Sequence, residues 1–163
     1  MLTERFLVIR KWKKLRLRVW EKRLLYQLSL ISSEFPSSFQ CTLCISWGPF
    51  YGGSVVLNRR GTKAKIYIQI PYDRYITADE QQVLSHYAIS KNALPYFIFF
   101  HECYHLIDVL SQLQLNKIKS LDAYQTELKK AVKASTSYRL LQIERSADEF
   151  AYTQYKQLCK KAG

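Results

Sequence analysis

The chain has 163 residues, 48% of them hydrophobic and 14% aromatic, with 25 Lys and Arg against 13 Asp and Glu for a formal net charge of +12. That is enough apolar material for one domain with its own core, spanning residues 1–163, and it excludes a disordered tail. The longest nearly apolar run, Leu94 to Phe100, is far too short to cross a bilayer, and charges interrupt every apolar stretch from Arg5 to Arg23, so a cytoplasmic protein is expected.

The first element is a helix over residues 3–31. Phe6, Ile9, Leu17, Trp20, Leu24, Leu28 and Ile31 recur at helical spacing, and Ser32, Ser33 and Pro36 end the pattern. This segment holds nine Lys or Arg against two acids, a net of +7. Such a helix suits phosphates, an anionic lipid or an acidic protein surface, but a solvated basic face with a packed apolar stripe needs no ligand at all. Trp12 and Trp20, eight apart, read as part of that stripe.

Three short strands follow, at about 40–46, 54–58 and 63–70, with Gly48-Pro49 and Gly52-Gly53 in the first connection. Arg59-Arg60-Gly61-Thr62 reads as a hairpin turn between the second and third. Ala64, Ile66, Ile68 and Ile70 share one face of the third strand, and Lys65, Tyr67 and Gln69 the other. Cys41 and Cys44 form a lone C-x-x-C inside the first strand. Residues three apart on a strand point to opposite faces, which opposes both a zinc knuckle and a disulfide there. The four cysteines read as inert thiols.

Helical patterns occupy about 78–90, 94–115, 121–134 and 138–160. Thr77 to Glu80 opens the first as a capping box. The second contains His101-Glu102-Cys103-Tyr104-His105, the pattern H-E-x-x-H. Two histidines four apart lie one above the other on a helix, so both imidazoles reach one ion, and Glu102, one residue round, is placed to act as general base on a water. The chain has only three histidines, and two fall here. Cys103 turns away from that face.

The last helix carries Glu144-Arg145-Ser146-Ala147-Asp148-Glu149-Phe150-Ala151. Glu144 and Asp148 share a face, and Ala147 is small enough for two helices to approach closely. A catalytic zinc keeps three protein ligands, and two histidines with one glutamate is a known set, which makes Glu144 the third ligand. Asp148, one turn on, is placed to accept the second ring N–H of a ligating histidine, His101 by preference. Asp108, three after His105, shares the metal face and could hold a similar bond or replace Glu144. His86, the remaining histidine, reads as a helix-surface residue with a smaller claim as ligand.

These strings, F-x-H-E-x-x-H-x-x-D and later E-R-x-A-D-E-F-A, resemble the ImmA/IrrE family of bacterial and phage metallo-endopeptidases, within the gluzincin arrangement of HExxH followed by ExxAD. The likeness covers about residues 61–155 and is specific at the two motifs. It implies a zincin-like fold, and the order of strands and helices along the chain suits it: an α+β arrangement with a small antiparallel three-stranded sheet on the metal-binding helix. It also implies zinc on His101, His105 and Glu144, Glu102 as base and Asp148 behind the site. The activity it implies is cleavage of a protein partner, typically a DNA-binding repressor of a mobile element or stress response. The interval from His105 to Glu144 is longer than the family's and leaves room for an extra helix. The Leu-Met-Pro stretch that often follows the family's second motif is missing.

Under this reading the third strand, Lys63–Ile70, is the candidate edge to take an extended substrate backbone, with a covered strand as the alternative. An oxyanion donor is also needed, with Tyr104, Tyr152 and Tyr155 as the tyrosines nearest in sequence. Two other functions fit the same residues. One is a DNA- or partner-binding regulatory or anti-restriction protein that keeps the fold without proteolysis, which the basic first helix favours. The other is a toxin-like hydrolase.

Overall fold

The computed structural model describes residues 2–72, 75–135 and 141–162, with side chains described from residue 12 to residue 160 within those ranges. Five α-helices and three strands are present among them, an α+β arrangement: α1 Leu2–Ile31, β1 Gln40–Gly48, β2 Gly52–Leu57, β3 Lys63–Pro71, α2 Ala78–Tyr87, α3 Leu94–Gln114, α4 Leu121–Ala134 and α5 Gln142–Ala162. Of the expected helical stripe in α1, Phe6 and Ile9 lie outside the described side chains, as do residues 138–140 at the expected start of the last helix.

The expected antiparallel sheet is instead mixed, in the order β1-β3-β2. β3 pairs antiparallel with β2 and parallel with β1. Consequently Lys63–Ile70 is the central strand and not an edge. The cause lies in composition. Ala64, Ile66, Ile68 and Ile70 are all nearly inaccessible, and a central strand offers the most burial to such a set. β2, with Gly52, Gly53 and Ser54, has little to bury and takes the edge. The β2–β3 turn is as expected: Gly61 sits at φ +66°, and Asn58 Oδ1 accepts from the backbone N–H of Thr62 at 2.9 Å and of Lys63 at 3.0 Å.

α3 is the axis of the molecule. Its apolar side chains point in nearly every direction, as expected of a helix covered on several sides, and Phe97, Phe99, Phe100, Cys103 and Leu106 are all buried. One side meets β2 and β3, and another meets α5, where Ala147 and Ala151 are fully buried one turn apart. Short side chains there let the two helix backbones come close, which brings the acids of α5 to the histidines of α3. α1 packs on β1 through Trp20, Leu24, Leu28 and Ile31. Trp12 departs from the expected stripe: it is 67% exposed. The capping box of α2 forms, with Thr77 N–H donating to Glu80 Oε2 at 2.7 Å and Glu80 N–H to Thr77 Oγ1 at 3.2 Å.

Candidate metal centre

His101 and His105 project from one face of α3 toward Glu144 of α5. Their Nε2 atoms lie 3.0 Å apart, and the Glu144 carboxylate reaches His101 Nε2 at 3.2 Å and His105 Nε2 at 3.4 Å. Zinc–ligand distances near 2.0–2.1 Å in a tetrahedron put neighbouring donor atoms about 3.3 Å apart, so this triangle has the dimensions of three corners of such a site. Among the described residues these three form the group that could hold a metal ion. Glu144 is 1% exposed although it is an acid on the first turns of a helix. A carboxylate so placed requires cationic or protic partners.

His101 Nδ1 lies 2.8 Å from Asp148 Oδ1. A proton on Nδ1 satisfies that contact and leaves the Nε2 lone pair directed at the centre, the tautomer a ligand needs. Burial lowers the His101 pKa, but the hydrogen bonds of Asp148 and Glu144 and the charges of Asp148 and Glu102 outweigh it and raise the value to about 9. Glu102 is also buried, and its carboxyl is raised by that burial and by Glu144 against the pull of the two histidines. Its side chain lies against β2. A Cβ on Gly53 would come within 2.6 Å of Glu102 Cγ and Oε1, and within 2.7 Å of Ile98 Cγ2. The glycine thus provides the space in which Glu102 sits beside the edge strand.

The other expected residues go elsewhere. Asp108 accepts from Gln112 Nε2 at 2.7 Å and from the Tyr124 hydroxyl at 3.2 Å, so its bonds join α3 to α4 and do not run to the histidines. Tyr152 packs on Tyr87 with the Lys156 ammonium over its ring, which places it at the junction of α5 with α2. The Tyr155 phenol is raised by Cys159, one turn further along α5, and by burial. Tyr104 lies edge-on to His105, with Phe150 on its other side. His86 is exposed and edge-on to Tyr87.

Tyr124, from the helix between the two motifs, escaped the sequence reading. Burial and the neighbouring Asp108 hold its phenol well above the ordinary value, and Glu144 and Tyr104 add smaller contributions in the same direction. Leu121, Tyr124 and Leu128 are the half-buried positions of α4, and their 3–4 spacing is the signal that could have marked Tyr124 as inward-facing. Cys103 is fully buried, and burial drives its thiol well up, as an inert thiol requires. Compared with known proteins, the chain matches no family model, no curated protein and no solved structure.

Proposed function

We propose that this protein is a zinc-dependent endopeptidase with a zincin-like fold, acting on a protein partner, and that a DNA-binding repressor is the class of substrate to try first. The observation that carries the reading is the triangle of two imidazole nitrogens and one carboxylate at 3.0–3.4 Å, with a second, non-ligating glutamate on the same turn. Two nitrogens and one oxygen form a donor set suited to zinc, and three protein ligands leave room for water or substrate.

When bound, zinc supplies Lewis-acid polarisation of a peptide carbonyl and of a water. The rest is the work of this chain's side chains. Glu102 accepts the proton of the attacking water and returns it to the leaving amine, and its raised pKa brings it nearer the operating pH for both transfers. Asp148 holds the His101 ring by its Nδ1–H. β2 is the strand that borders Glu102, and its outer side pairs with no strand among the described residues. An extended substrate added there would lay its backbone beside the base, which replaces the Lys63–Ile70 strand in that role.

The test is a purified full-length protein incubated with repressors encoded beside its gene, with new N-termini identified by mass spectrometry. Elemental analysis should give about one zinc per chain, strongly reduced in His101→Ala. Equal metal in both proteins, or none in either, would remove the site. Zinc without cleavage of any partner would remove the peptidase reading alone.

A further inference from the structure

A second surface lies at the opposite edge of the sheet from β2. α1 packs on β1 there, and an open groove of about 690 Å³ runs between α1 and the far ends of β1 and β3. All three of the chain's tryptophans line it, together with Tyr72. Trp47 and Tyr72 stack at 5.9 Å with their planes 20° apart. Each of the three cations in the groove lies over a ring: Lys13 Nζ over Tyr72 at 4.9 Å, Arg16 Cζ over Trp47 at 5.3 Å and Arg23 Cζ over Trp20 at 5.5 Å. Among the described residues no acid lines it.

We infer that this groove binds single-stranded nucleic acid. Aromatic faces set among cations, with no acid among the described lining residues, complement a chain of phosphates carrying unstacked bases. Trp12 stands 67% exposed with its ring open to a base, beside the half-exposed Tyr72 and the three exposed cations. A duplex keeps its bases stacked and gives these rings nothing to hold. A bilayer suits a helix with one apolar face bordered by cations, but here Lys14, Arg18 and Lys22 are exposed on the side of α1 away from the groove. An acidic peptide would meet the cations but not the stacked pair. The surface is separate from the metal centre, so the inference stands apart from the peptidase reading.

The experiment uses the full chain and fluorescein-labelled oligo(dT), followed by anisotropy and by quenching of tryptophan emission. Binding should weaken with salt at a slope of about −2, from roughly 0.7 per phosphate met by the three cations. Trp12→Ala should weaken oligo(dT) binding on the order of 10-fold with the salt slope unchanged, because a stacking face is lost and no charge is. Trp12→Phe should restore most of it. Lys14→Gln, on the other side of α1, should leave affinity within roughly 2-fold. Trp12 is too exposed to govern folding, and unchanged circular dichroism and zinc content would confirm an intact protein. Equal losses from Trp12→Ala and Lys14→Gln, or a duplex of the same length bound as tightly, would overturn the inference in favour of bare charge. Binding to phosphatidylglycerol vesicles or polyglutamate without oligo(dT) would overturn it in favour of a membrane or an acidic protein.

Discussion

His101 Nδ1 and Asp148 Oδ1 meet at 2.8 Å across 47 residues of sequence, so a side chain on α5 decides which nitrogen of an α3 histidine faces the centre. Removing the acid leaves the histidine but frees its ring and its tautomer. Asp148→Ala should therefore lower zinc affinity or activity by roughly 10- to 100-fold while the chain stays folded. Competition with a fluorescent chelator measures the affinity. An unchanged value would show that the contact does not orient a ligand.

Glu102→Gln separates holding a metal from using it. The amide is nearly the same size and Glu102 is not one of the three donors, so zinc content and thermal stability should persist. Activity should fall on the order of 10² to 10⁴, because the amide takes no proton from water. A mutant with full biological effect in cells would shift the function from hydrolysis to binding.

Gly53→Ala tests the space beside the base. The added methyl would meet Glu102 and Ile98, and both side chains must move. Activity should drop at least 10-fold, a displacement effect on catalytic geometry, with metal content unchanged and only a modest loss of thermal stability. Equal activity in the two proteins would place Glu102 outside the reacting geometry.

The pH dependence follows from His101, whose pKa stands at about 9 against 6.5 for a free imidazole. In chelator-stripped protein the proton stabilises the fold fully below pH 6.5, and that contribution is lost as pH rises through 9. Zinc competes with the same proton, so its affinity should climb with pH over this window and level off above it. Calorimetry in buffers of different ionisation enthalpy should record about one proton released per ion near pH 7.5. An affinity flat across that range would exclude His101 as a ligand.

The segments with strong periodicity were readable from the residues alone: α1 from its Trp20-to-Ile31 stripe, β3 from its alternating isoleucines, and the pair His101 and His105 from a four-residue spacing. Helical spacing also put Glu144 and Asp148 on one face. What was not readable depends on contacts distant in sequence. The parallel pairing of β1 with β3 is a choice of neighbour made by burial, and neither strand records it locally. Asp108 has the right spacing for the metal face, yet α4 supplies Tyr124 and draws its carboxylate away. Tyr152 and Tyr155 share a helix with Glu144, but they lie two to three turns along it, where Tyr152 meets Tyr87 of α2.

Cys103 stands between the two histidines in sequence and on the other side of the helix in space, fully buried with its thiol held protonated. The donors that converge on the centre are therefore nitrogen and oxygen only among the described residues. Copper(I) prefers sulfur, and the nearest thiol in sequence is turned into the core by a rotation of about 100° per residue along α3. Discrimination between a borderline ion and a thiophilic one thus rests on which side of a single helical turn each donor occupies. Bringing the thiol to that face would take a shift of about two residues along the helix.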